Sequence, residues 1–351
     1  SPQILPSKDK IGIEKMAEQI IKDMDMPKKK EFTTSLANIV LVNLEPFGRS
    51  SLYTRKEEQN LKNNVQNIDP GADLYKTLGV EKNASQENIV KAYKGKAAAL
   101  EPKKEKSPEA AQELAAVNRA YEALKTPEQK AVYDKTGIEP TVITKLLRPD
   151  ILYMRLKKIS PQTFDEFQKA AIAVDKGDVL NSIIIDLRGN IGGSIDLLQY
   201  FLGPFIGPNQ YAYDFFHQGE YTPFKTQVGW LNSMVRYKKV VILTDNQTQS
   251  SAEVMAAALK KYNVGIIVGT PTKGWGTVEK VFPIDQQIDP REKYSALMVH
   301  SLTLRDDNQP IEGKGVDPTI SITDPNWEKQ LFEYFNYHAL IDVVKKVLKE
   351  N

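Results

Sequence analysis

An α/β fold with additional helical parts is predicted by three observations. Short β-branched apolar runs recur, at Ile183–Asp186 (I-I-I-D), Val240–Thr244 (V-V-I-L-T) and Gly265–Gly269 (G-I-I-V-G), each bounded by glycine or polar residues as buried strands are. Between the second and third lies Ala252–Lys261, a strong helix former with Val254, Ala257, Ala258 and Leu259 on overlapping faces. Further upstream, residues 86–100 and 109–124 repeat apolar residues at helical spacing.

The first run leads directly into a charged, glycine-rich turn, so that residues 183–193 read I-I-I-D-L-R-G-N-I-G-G. Adjacent Gly192 and Gly193 let backbone N–H groups approach a ligand or a developing oxyanion with no Cβ in the way. The second run ends in polar residues and then Ser250-Ser251-Ala252-Glu253, which puts a serine at a strand-to-helix turn. Free N–H groups at a helix start favour negative charge, which suits a nucleophile. Serine is also a common helix N-cap, and that role alone explains its position here. The third run opens a loop of small and polar residues, T-P-T-K-G-W-G-T-V-E over 270–279.

D-L-R-G-N-I-G-G, then S-S-A-E, then V-G-T-P-T-K-G-W-G-T-V-E resembles the core of the C-terminal-processing, or tail-specific, serine peptidases. Asp150–Phe167 is similar to the family's preceding strand and helix, Ile311–Pro318 to its closing strand motif, and Asn43–Tyr53 to its L-D-P-x-S-x-Y segment. The resemblance covers roughly two thirds of the chain. It implies a ClpP/crotonase-like α/β peptidase core, a polypeptide substrate recognised at its C-terminal tail, no cofactor and no metal.

In that family a serine attacks, a lysine accepts its proton and a glutamine four residues later orients the lysine. Ser250 fits the serine position, while Trp275 stands where the lysine belongs and Glu279 where the glutamine belongs. A serine hydroxyl needs a neighbouring base, and an indole N–H only donates. Lys273 is the alternative base, because residues two apart in an extended strand project to one face; burial beside Trp275 favours its neutral form and Glu279 its charged form. A solvated loop lysine is the competing reading. Glu279 is a further candidate base, and His300, in the apolar strand 297–302, reads better as a histidine completing hydrogen bonds. The resemblance implies Gly192, Gly193 and the Ser251 N–H as oxyanion donors; a tight turn without a ligand explains the two glycines equally well. Trp275 doubles as an apolar contact for a peptide, the mark of a binding protein that kept the cleft and lost the base.

Residues 73–137 resemble a J-domain, with Ile89, Ala92 and Tyr93 of one helix facing Leu114, Val117, Tyr121 and Leu124 of the next. J-domains stimulate a partner chaperone ATPase through a His-Pro-Asp turn. Here the turn reads Glu101-Pro102-Lys103, which argues against a chaperone partner and for a hairpin that binds or spaces. It occupies the place that a PDZ module commonly takes in tail-specific peptidases.

The expected organisation is a helical segment over 1–70, the J-like hairpin over 71–138, the peptidase core over 139–325 and terminal helices over 326–351. Breaks fall at Asn67–Gly71 and Gly137–Pro140, where proline and glycine punctuate the pattern. At 351 residues and 41% hydrophobic the chain suits two or three packed domains. Its 47 basic and 45 acidic residues leave a net charge of +2, which points to neither a nucleic-acid nor a membrane surface. Without cysteine there is no disulfide, thiolate metal site or cysteine nucleophile. No run of eighteen apolar residues occurs. The start at Ser1 and the family resemblance lead us to expect a processed chain in an extracytoplasmic, cell-envelope location. Amphipathic helices over 327–349 and at the N-terminus are expected to pack on the core or to form a dimer contact.

Overall fold

The computed structural model describes residues 10–67, 73–104, 107–174, 179–285, 287–305 and 307–349. The expected break at Asn67–Gly71 lies outside them from residue 68 onward. Its strands are β1 (Ser51–Thr54), β2 (Val142–Arg148), β3 (Ile151–Leu156), β4 (Ser182–Asp186), β5 (Tyr211–His217), β6 (Glu220–Lys225), β7 (Lys239–Thr244), β8 (Ile266–Gly269), β9 (Thr277–Pro283), β10 (Tyr294–Thr303) and β11 (Ile320–Ser321). The chain divides into two compact units.

The larger unit, residues 63–215, 221–276 and 303–351, is built on a six-stranded sheet ordered β11-β8-β7-β4-β3-β2. All neighbours are parallel except β2, which returns antiparallel against β3. Successive side chains alternate between faces. Leu152, Met154, Ile183, Ile185, Val240 and Ile242 pack on one side with Phe167 and Met255, whereas Ile151, Tyr153, Ile184, Val241 and Leu243 pack on the other with Leu340 and Val344. Both faces are therefore covered by helices, as a parallel sheet requires. The covering helices are Pro161–Ala173 and Ser251–Lys261 on the first face and Trp327–Phe335 and His338–Lys349 on the second.

The same unit contains the helices Leu74–Leu78, Gln86–Leu100, Pro108–Leu124 and Pro127–Thr136 around a core of Leu74, Tyr75, Leu78, Ile89, Val117 and Leu124. Ser85, Ser107 and Thr126 cap three of these helices, each accepting a backbone N–H three residues on. Tyr93 and Tyr121 stack with ring centroids 3.9 Å apart across the hairpin, as the helical spacing predicts. Glu101-Pro102-Lys103 forms an exposed turn of 3₁₀ helix.

The smaller unit gathers the described part of residues 1–62 with 216–220 and 277–302. Here β10 pairs antiparallel with both β1 and β9, and the β9 register slips between Val299 and Ser301. The bulge falls at His300, which stacks on His217 with centroids 4.1 Å apart and bonds the Ser301 hydroxyl and Lys280. It is thus a partnered histidine. Among the described residues no helix is long and apolar enough to cross a membrane.

Candidate active site

Three loops leave the carboxyl ends of the adjacent parallel strands β4, β7 and β8, the edge at which α/β sheets assemble sites. The loop after β4 is anchored by its own motif. Asp186, fully buried, accepts a paired contact from Arg188 at 2.7–3.1 Å and the Tyr153 hydroxyl at 2.8 Å. Burial, then the charge of Asp186, pushes the Tyr153 phenol far up, so it stays a donor. Asn190, also fully buried, donates its amide to the Leu156 carbonyl, accepts Gly192 N–H on its side chain and accepts Gln249 N–H on its backbone, each at 2.9 Å. One asparagine thereby fixes the glycine turn against the serine loop.

Gly192 and Gly193 take φ of +84° and +143°. A Cβ at Gly193 would lie 2.1 Å from the Ile159 carbonyl, and one at Gly192 would lie 2.7 Å from Ser250 Cβ and 3.0 Å from Ser251 N. The structure therefore brings together Gly192, Ser250 and Ser251. The Gly192 N–H is taken by Asn190, whereas no intramolecular acceptor meets those of Gly193 and Ser251 among the described residues.

Ser250 is half-buried at φ +58°, ψ −132°. An ordinary N-cap has extended backbone, so simple capping does not account for this conformation, which costs a non-glycine residue about 1–3 kcal/mol. What holds it is Glu253, one turn into the helix. Its fully buried carboxylate accepts N–H from Ser250 at 2.9 Å, Trp275 at 2.8 Å and Gly274 at 2.7 Å, and the Thr272 hydroxyl at 2.5 Å. Burial pushes the Glu253 carboxyl above its ordinary range, against the pull of these four donors.

The loop after β8 is clamped from its other side by residues 311–316. A Cβ at Gly276 would meet Glu312 N at 2.3 Å and one at Gly315 the Thr272 carbonyl at 2.4 Å, and Val316 N–H donates to the Thr272 hydroxyl at 2.7 Å. Residues 311–317 thus form a turn, and the strand expected within 311–318 begins only at Ile320. Lys273 is exposed, with Nζ 5.7 Å from the centroid of half-buried Trp275, a distance at which a cation is drawn to a ring face. Glu279 lies in the smaller unit on β9 and accepts the Thr277 hydroxyl at 2.5 Å. No group of three or more residues able to hold a metal occurs among the described residues.

Two contributors went unseen in the sequence, Asn190 and Glu253. Both stood inside quoted motifs, D-L-R-G-N and S-S-A-E, and a buried polar residue beside a glycine turn or a helix start was the available signal.

Residues 150–322 match the model of peptidase family S41, and residues 73–134 match the DnaJ domain. The chain is 27% identical over 178 residues to the carboxy-terminal processing protease CtpB of Bacillus subtilis, covering 50% of this chain and 34% of that protein. It is 50% identical over 66 residues to the chaperone protein DnaJ of Ruegeria pomeroyi, covering 18% of this chain and 17% of the other. The chain spans well under half the length of these curated relatives. Among solved structures, the photosystem II D1 C-terminal processing protease aligns with a TM-score of 0.43 and 20% identity over 49% of this chain and 42% of that one. The chain thus carries an S41-type peptidase domain at residues 150–322, of the kind found in C-terminal-processing proteases, and a DnaJ domain at residues 73–134.

Proposed function

We propose that the S41 domain binds polypeptide segments, C-terminal tails among them, and cleaves them by acyl transfer through Ser250. The observation that carries this reading is the backbone of Ser250, held at φ +58° by a buried carboxylate beside two unengaged N–H groups. Strain of this kind is expected where a side chain must be presented rather than packed. In this mechanism Ser250 Oγ attacks the peptide carbonyl, and the N–H groups of Gly193 and Ser251 receive the oxyanion. Gly192 joins them only when its bond to Asn190 yields. Lys273, rotated off Trp275 and in its neutral amine form, takes the proton and returns it to the leaving amine; Glu279 is the less favoured base. The acyl-enzyme is then hydrolysed.

A second reading is favoured by the Lys273–Trp275 contact, which sets an ammonium on an aromatic face where the family places its catalytic lysine. In it the cleft binds peptide without turnover, Trp275 acting as the apolar anchor. Incubating the purified chain with a loosely folded protein bearing an apolar C-terminal tail separates the two. Fragments that appear with the wild type and vanish in Ser250→Ala support cleavage, and their absence across pH supports binding alone.

Under either reading the DnaJ domain serves as a docking or spacing module, since Glu101-Pro102-Lys103 replaces the stimulating turn. An extracytoplasmic location fits a processing peptidase of this type.

A further inference from the structure

A cavity of about 90 Å³ separates the end of the DnaJ helix Pro108–Leu124 from residues that hold the loop after β4. Glu122 and Lys125 wall it on the DnaJ side, and Tyr153, Arg155 and Val347 on the side of the six-stranded sheet. Each of these last three anchors the D-L-R-G-N motif. The Tyr153 hydroxyl donates to Asp186 at 2.8 Å, the Val347 carbonyl accepts Arg188 Nη2 at 3.1 Å, and Arg155 Nη2 donates to the Arg188 carbonyl at 3.5 Å. A Cβ on Gly189 would lie 3.7 Å from Arg155 Nη2, so the guanidinium sits against the turn that runs on to Gly192 and Gly193.

On the opposite wall Glu122 accepts Lys125 Nζ on Oε1 at 2.6 Å, while its Oε2 is buried with no partner among the described residues. Arg155 Nε is buried in the same condition. An unengaged carboxylate and an unengaged guanidinium N–H therefore belong to one cavity, a space that one or two waters span. Opposite charges withdrawn from water attract strongly, and each alone is costly to bury. Lys157, two residues on and outside the cavity wall, joins the cluster. Burial pushes its ammonium below the ordinary range, and Glu139 and then Glu122 pull it back up. Glu139 is ion-paired with Arg119 of the DnaJ helix. The carboxylate in the wall with Arg155 is thus Glu122, from the DnaJ domain.

We propose that Arg155 is a positioning residue that couples the DnaJ domain to the oxyanion turn. Glu122 holds the Arg155 guanidinium, Arg155 holds the Arg188 carbonyl, and the turn so placed presents the Gly193 N–H. The DnaJ domain then controls the S41 site as well as docking or spacing, and a ligand that shifts the helix Pro108–Leu124 tunes it. The catalytic consequence rests on the Ser250 reading, whereas the coupling itself does not.

The test is amide hydrogen exchange of the full chain, read by mass spectrometry over residues 187–193, where the N–H groups of Arg188, Gly189, Asn190 and Gly192 are bonded. Arg155→Met is expected to speed exchange there at least ~10-fold, and Glu122→Gln, from the DnaJ side, at least ~5-fold. Glu122→Asp keeps the carboxylate and restores most of the protection. In the Arg155→Met background Glu122→Gln adds nothing further, as befits two residues acting in series. A Glu122 that served only its own helix would loosen 108–124 and leave 187–193 as it was. Unchanged exchange over 187–193 in Glu122→Gln, or additive effects in the double variant, overturns the proposal. Should Arg155→Met fail to fold, Glu122→Gln against Glu122→Asp decides it. Fluorophosphonate labelling of Ser250 is followed on the same proteins. Labelling that slows as exchange quickens supports control of the site. A wild type that does not label contradicts the Ser250 reading alone, and the exchange over 187–193 still judges the coupling.

Discussion

Gly192 lies so close to Ser250 that a Cβ built on the glycine would sit 2.7 Å from the serine's own Cβ. The glycine turn after β4 and the serine turn after β7 are therefore one structure, closed by Asn190. Gly192→Ala must either push Ser250 out of its strained backbone or unwind its own φ of +84°. The expected result is a loss of about 1–3 kcal/mol of stability. Ser250 labelling by a fluorophosphonate should fall at least ~10-fold with it. Chemical denaturation and a labelling time course check both.

Glu253 gives a prediction with a sign in pH. Its carboxyl is raised by burial above the ordinary value of 4.5, so the folded state holds its proton to higher pH than the unfolded chain does. The contribution of Glu253 to stability, measured against Glu253→Gln, is accordingly fullest below 4.5, declines as pH rises through the folded value, and is flat beyond it. Denaturation curves of the two proteins across the acid range read this directly. Glu253→Ala leaves the Ser250, Gly274 and Trp275 N–H groups without their acceptor and is expected to cost about 3–5 kcal/mol.

Trp275→Lys restores an amine at the family's base position. If only the base limits turnover, cleavage of a peptide substrate should rise at least ~100-fold over wild type. The gain should vanish in the double variant with Ser250→Ala.

The DnaJ turn yields a similar gain-of-function test. Wild-type chain is expected to leave the ATPase rate of a partner chaperone unchanged, because Glu101 and Lys103 replace the histidine and aspartate. Glu101→His with Lys103→Asp should stimulate that rate several-fold if the exposed turn alone was lost, as a steady-state ATPase assay would show.

Much of this was legible in the chain. The strands at 182–186, 239–244 and 266–269 are continuous apolar runs because both sheet faces are buried, and that same burial makes the pattern easy to read. The hairpin of 86–124 announced itself through helical spacing, down to the Tyr93–Tyr121 stack. Strand β2 went unread, since at the sheet edge its Lys145 and Leu146 are exposed and break any alternation. The residues 311–317 looked like a strand motif but are bent into a turn by close approach of Gly276 and Gly315 to neighbouring backbone, a tertiary constraint with no local mark. Asn190 and Glu253 escaped for the same reason. Their work is to satisfy backbone groups on loops distant in sequence, and no spacing rule reveals which N–H a carboxylate will meet.

The most direct test of the account is mass spectrometry of a tail-bearing substrate incubated with wild type and with Ser250→Ala in parallel. The account predicts defined C-terminal fragments that require Ser250 and that diminish in Lys273→Met. Fragments that persist unchanged in Ser250→Ala would contradict it.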